Sequence, residues 1–141
     1  MAKQNFHIAI VEARYYGSVS QRLMSSTKIA LEEANATHEH IVVPGALEIP
    51  AAVRLRHHSN GRVDGFVALG CVIRGETSHY DIVAEESARG LMDLSTREGI
   101  LIGNAILTVE NLEQAEKRSM TKGKDAANAV LSLLKLRERL K

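Results

Sequence analysis

The chain has little of what would mark a secreted, membrane-bound or metal-dependent protein. Its single cysteine, Cys71, excludes an internal disulfide. Lying in the apolar run before Arg74, it reads as a small buried residue rather than a nucleophile, with its backbone still open to a ligand. No apolar run approaches the ~20 residues of a membrane span, and Met1-Ala2-Lys3-Gln4-Asn5 lacks the apolar core of a signal peptide, so a cytoplasmic location is expected. Charge of one sign is also missing. With 18 Lys+Arg against 17 Asp+Glu and no basic block, neither nucleic acid nor a membrane is expected as a partner. Lys135, Arg137, Arg139 and Lys141 close the last helical pattern, where cations favour the helix dipole. Among the six histidines, no pair has helical i, i+4 spacing with a third ligand in view, so no metal is expected.

What is present is a regular alternation. Its 141 residues read as one domain, 1–141, long enough to bury roughly two thirds of its unfolded surface. No linker or low-complexity segment interrupts the order βαβαβαβαα. Phe6 to Val11 reads as the first strand; Ser18 opens a helix whose Val19, Leu23, Ala30 and Ala34 share one face. Ile41 to Val43 is a short second strand with His38 and His40 at its entry, and Pro50 suits the first turn of a helix to about His57. The third strand, Gly65 to Ile73, has almost no polar alternation, as expected of a parallel strand covered on both faces. Val83, Ala84, Ala88, Leu91 and Met92 mark the next helix, which ends near Gly99. A fourth strand, Ile100 to Thr108, precedes helices over Asn111 to Arg118 and around Ala126, Ala127, Val130, Leu131 and Leu134. Right-handed crossovers turn this order into an α/β protein with a four-stranded parallel sheet and helices on both faces.

In such sheets ligands bind outside the carboxyl ends of the strands. The segments there are Ala13 to Gly17, Pro44 to Glu48, Arg74 to His79 and Thr108 to Glu110, which gather aromatic rings, glycines, carboxylates and a histidine. Gly75 to Ser78 join a strand end to a helix start, where unpaired N–H groups and the dipole's positive end suit a phosphate or oxyanion. His79 follows that turn at a place suited to proton transfer. Each feature also has a plainer reading. Tyr15 and Tyr16 serve equally as packing at a loop mouth, and Glu48 as a charge favouring a helix N-terminus. For Arg74 an ion pair with Glu76 or another carboxylate is favoured over ligand binding.

Three blocks, in order and spacing, then carry a resemblance across nearly the whole chain. They are Ile8 to Tyr15 (IAIVEARY), Val43 to Pro50 (VPGALEIP) and Ala68 to Tyr80 (ALGCVIRGETSHY), followed by Leu107-Thr108 and Glu113-Gln114-Ala115. In these the chain resembles the 6,7-dimethyl-8-ribityllumazine synthases of riboflavin biosynthesis. The resemblance implies a three-layer α/β/α, flavodoxin-like fold. The implied activity is a transferase that condenses 5-amino-6-(D-ribitylamino)uracil with 3,4-dihydroxy-2-butanone 4-phosphate, releasing phosphate and water, with neither cofactor nor metal.

By the same resemblance Tyr15 matches the aromatic on which the pyrimidine stacks, and Ala46, Leu47 and Glu48 the segment that holds the ribityl chain. Cys71, Val72 and Ile73 match the strand end that meets the pyrimidine. Glu76 and Thr77 fall at the phosphate turn, His79 matches the acid/base, and Arg118 the arginine that binds the phosphate. Asn104 stands where many relatives carry a phenylalanine from a neighbouring subunit, and Tyr16 where an asparagine is frequent. Self-association as a ring of five is implied, each site being shared with Asn104 and Arg118 of the next chain. Because Ser119 to Asp125 is shorter than the glycine-rich kink of shell-forming relatives, a free pentamer is expected. Two other functions fit parts of the pattern. One is a flavin- or pterin-binding module without turnover, for which His79 and a phosphate arginine have no obvious use. The other is a flavodoxin-like electron carrier, which needs a hydroxyl-rich glycine turn where Arg14 to Ser18 stands.

Overall fold

A computed structural model describes residues 5–15 and 17–141. Met1 to Gln4, where most of the leader reading rests, and Tyr16 lie outside the described residues. The elements are β1 (His7–Ala13), α1 (Gly17–Glu33), β2 (Thr37–Val43), α2 (Ile49–His57), β3 (Gly65–Ile73), α3 (His79–Glu98), β4 (Ile102–Val109), α4 (Leu112–Ser119) and α5 (Lys122–Arg139), with a 3-10 turn over Ala46–Glu48 before α2. The four strands pair in parallel in the order β2-β1-β3-β4. Connections leave the middle of that order in opposite directions, so β1 and β3 form the switch point where ligands of open α/β sheets sit.

The sheet separates two cores. On one face Ile8, Ile10, Val67, Leu69, Ala105 and Leu107 meet α1, α4 and α5. On the other, Ala9, Val11, Phe66 and Ala68 meet α2 and α3. The helices form because their apolar residues recur on one side: α1 buries Val19, Leu23, Thr27, Ala30 and Leu31. Pro50 occupies the first turn of α2, where its missing N–H removes no helical bond. Gly99 ends α3 in the left-handed conformation, φ 71°, which glycine adopts without steric cost. Asn111 caps α4 by accepting the Gln114 N–H at 2.9 Å. No helix among the described residues is long and apolar enough to cross a membrane.

Three boundaries move by two residues or more from the sequence reading. The first strand runs on to Ala13 rather than Val11, which takes Glu12 into it. The second strand begins at Thr37 rather than Ile41, so His38 and His40 lie inside it. Polar residues are tolerated there because β2 is an edge strand only partly covered by α1, and both rings find carboxylates: His38 on Glu32 at 3.1 Å and His40 on Glu12 at 3.0 Å. The fourth strand starts at Ile102. Ile100 instead packs into the α2/α3 core before the ladder begins.

Candidate active site

All four strands point their carboxyl ends to one edge, which brings the β1–α1, β2–α2 and β3–α3 connections side by side. At the first, Tyr15 stands exposed, and its backbone N–H donates to Ser20 Oγ at 2.8 Å, tying the loop to α1. At the second, the turn Ala46–Glu48 buries Ala46, leaves Leu47 and Glu48 exposed, and rests against α3. The Glu48 carboxylate folds back over Gly45, leaving 3.1 Å between Oε1 and the place a Cβ would take there.

The third connection begins at Cys71, Val72 and Ile73, all half-buried at the end of β3 and paired with Leu107, Thr108 and Val109. Burial pushes the Cys71 thiol up to about 11, so it stays protonated and unreactive near neutrality. Gly75, Glu76, Thr77 and Ser78 are exposed and lead directly into α3, whose first residue is His79. The His79 N–H turns back to Thr77 Oγ1 at 3.3 Å, while its side chain remains exposed. A helix N-terminus directs the positive end of its dipole at an anion, and here an imidazole stands at its first position.

Arg74, expected to hold the turn, does so through partners other than Glu76. Its Nε donates to both carboxylate oxygens of Glu110 at 3.0 Å, its Nη1 to Asp81 Oδ1 at 3.4 Å, and its guanidinium lies 4.3 Å from the centre of the Tyr80 ring. Asp81, seven residues on, lay within reach of a sequence reading, whereas Glu110 did not, because strand pairing, not sequence proximity, brings the β4–α4 loop to the end of β3.

Two predicted residues do not join this group within one chain. Asn104 is exposed on β4, opposite Ala68 and well before the strand end at Val109, about 16 Å below the loops at the usual strand rise. Its Oδ1 accepts the Ile106 N–H at 2.8 Å, and it lines a shallow hollow of ≈ 310 Å³ with Ala84, Ser87, Ala88 and Thr108. Arg118 is on α4, on the opposite face of the sheet, where its Nη1 reaches the Gln114 carbonyl at 3.5 Å beside Asn111 and Lys117.

A hollow of ≈ 720 Å³ lies elsewhere again, between α1, the end of β1 and His40 of β2, and of the predicted residues it takes in only Tyr15. At its floor is Glu12, which accepts from His40 Nε2 at 3.0 Å and Arg14 Nε at 3.1 Å. The side chain of Glu12 is only 4% exposed, so these donors are what keep a carboxylate there satisfied. The one available sequence signal was a glutamate directly after the apolar run Ile8 to Val11. Among the described residues no group of three or more His, Cys, Asp or Glu could hold a metal ion.

Comparison with known proteins agrees with this geometry. The family described as 6,7-dimethyl-8-ribityllumazine synthase matches residues 5–138. A protein of that name from Agrobacterium fabrum is 51% identical over 142 aligned positions, covering 95% of this chain and 96% of its own. One from Novosphingobium aromaticivorans is 54% identical over 134 positions, covering 92% and 95%. The 6,7-dimethyl-8-ribityllumazine synthase 1 of Rhizobium meliloti is 51% identical, covering 95% and 93%. With a parallel α/β/α sheet, the three strand-end loops side by side and similarity over nearly its full length, the chain belongs to the 6,7-dimethyl-8-ribityllumazine synthase family.

Proposed function

We propose that the three strand-end loops are one half of a shared active site, in which Gly75 to Ser78 receive a phosphate and His79 moves protons beside it. The chain is a transferase of riboflavin biosynthesis, condensing 5-amino-6-(D-ribitylamino)uracil with 3,4-dihydroxy-2-butanone 4-phosphate to give 6,7-dimethyl-8-ribityllumazine, phosphate and water. The observation that carries the site is the exposed turn into α3 with His79 at its first position.

In this reading Tyr15 stacks on the pyrimidine, and backbone groups at Cys71, Val72 and Ile73 line its edge. Ala46, Leu47 and Glu48 take the ribityl chain. Its hydroxyls suit the carboxylate of Glu48, an acceptor with capacity for several bonds. Glu76 and Thr77 contribute turn amides and the Thr77 hydroxyl to the phosphate. The amine of the pyrimidine attacks the ketone, a Schiff base forms with loss of water, phosphate leaves, and the second nitrogen attacks the carbonyl that this elimination unmasks, closing the ring with loss of a second water. Each step moves protons and none changes oxidation state, so holding the two reactive substrates in line supplies much of the acceleration. His79 adds general acid/base catalysis of about 10²–10⁴-fold.

Arg118 is the phosphate's charged partner, since a guanidinium fork holds two oxygens and keeps its proton. It and Asn104 serve the site of an adjacent copy in a homopentameric ring. Support comes from their position: neither faces the loops of its own chain, while both stand exposed on the side of β4 and α4. Residues 1–141 act as one domain in the cytoplasm.

The direct test supplies both substrates and follows the fluorescent lumazine; no product from the wild-type chain would end the reading. The shared site is tested by mixing. His79→Ala and Arg118→Ala chains, each impaired alone, are expected to exceed the activity of either when unfolded and refolded together, because some interfaces then hold both intact residues. Mixed rings with no recovery, or a stable monomer by native mass measurement, would overturn it.

A further inference from the structure

Arg74 has no part in the roles assigned above, yet it is the most heavily connected side chain at the strand ends. Its backbone N–H donates to the Val109 carbonyl at 2.9 Å, closing the β3–β4 ladder. Its guanidinium then reaches Glu110, Asp81 and the Tyr80 ring. These groups are wet: the side chains of Arg74, Asp81 and Glu110 are 43%, 49% and 56% exposed. Ion pairs so exposed contribute little to stability, so stabilising the fold does not account for three partners on one guanidinium.

What they accomplish is geometric. Arg74 immediately precedes the turn Gly75 to Ser78, while Tyr80 and Asp81 immediately follow His79, so one planar group holds both ends of the anion-binding turn. The turn has little support of its own. A Cβ at Gly75 would meet nothing within 4 Å. Glu110 extends the link into α4: its N–H donates to Gln114 Oε1 at 2.8 Å, and the Gln114 carbonyl receives Arg118. A flexible ammonium in place of Arg74 could not match the planar fork that Glu110 and Asp81 engage together.

We propose that Arg74 is a positioning residue for the phosphate end of the site: it sets the pitch of the turn that presents the amides and His79, and registers that turn against α4. The proposal rests on the shared-site reading and deepens it. Arg74→Gln, Glu110→Gln, the double variant and Arg74→Lys are compared by steady-state kinetics and by hydrogen exchange of the turn amides. Each single change to Gln should raise KM for the butanone phosphate about 10-fold, as expected from a misplacement of less than about 1 Å, and leave KM for the pyrimidine within about twofold. The double variant should be no worse than the worse single one, because the two residues act through one contact. Arg74→Lys should recover only part of the loss, and amides 75–79 should exchange faster in both single variants.

Multiplying effects in the double variant, an unchanged KM for the phosphate substrate, or unaltered exchange would each overturn the proposal. If the wild-type chain made no lumazine, the functional reading would fail. The clamp would then be judged with inorganic phosphate as the probe. Protection of amides 75–79 in the wild type should be lost in Arg74→Gln, and equal protection in both would refute it.

Discussion

The two faces of β4 are finished to different degrees. Toward α4 and α5, Gly103, Ala105, Leu107 and Val109 are all buried, and the helix is so close that a Cβ on Gly103 would collide with the Ala126 carbonyl. Toward α3, Asn104 and Thr108 are exposed and Ile106 only half-covered. One strand is thus packed to the limit on one side and bare on the other. The closed face explains why the chain folds. The bare face carries Asn104, and the proposed ring places a second copy along this edge of the sheet, whose other side carries Arg118 on α4.

The opposite edge of the sheet is closed differently, by charge. On β2, Glu39 takes Arg56 in two bonds, 2.8 and 2.9 Å, and His7 at 2.8 Å. The hydrogen bonds from Arg56, with help from His7, hold the Glu39 carboxyl down to about 2. A half-buried pair of charges thus marks the β2 edge, where charged side chains discourage pairing with another chain, whereas the open face of β4 presents Asn104, Ile106 and Thr108 and carries no charge.

The sharpest way to break the contrast is to enlarge the closed face. Gly103→Val must push α5 off the sheet through backbone, not through a movable side chain, and is expected to cost about 3 kcal/mol or more, read from denaturant unfolding. A mild effect would show that α5 is less tightly seated than the geometry requires. At the open strand ends the expectation inverts, with function lost and stability kept. His79→Ala should lower turnover by about 10- to 10³-fold with an unchanged unfolding midpoint, because the exposed ring packs against no core. Wild-type turnover would make His79 incidental.

The charged edge is tested with acid. Since the folded Glu39 carboxyl sits at about 2 against an ordinary 4.5, the stability it contributes is fully present above about pH 5 and is lost as pH falls through 4.5 toward 2. Glu39→Gln should therefore be less stable near neutrality and lose less than the wild type on acidification to about pH 3, measured by urea unfolding at each pH. The smallest effect is expected at Gly75→Ala, where a Cβ meets nothing: stability should stay within about 0.5 kcal/mol. A larger loss would mean that the turn is held more tightly than its open surroundings indicate.

Periodicity alone marked β3, because a parallel strand buried on both faces must be apolar throughout, and Gly65 to Ile73 has the same bounds in both readings. The end of α3 near Gly99 and the start of α4 near Asn111 were legible for equally local reasons. Residues 37–40 were not, since an edge strand obeys no strong pattern when its polar side chains find partners on α1 and β1. The sequence by itself determined the element order, the parallel sheet, and which loops gather at its carboxyl edge, because these depend on short-range periodicity and on motifs contained within single loops. Only the tertiary structure decided that Arg74 pairs with Glu110, that Glu12 lies buried under His40, and that Asn104 and Arg118 face away from their own chain's loops. Those facts depend on strand register and on which helix covers which face, and no local spacing encodes either.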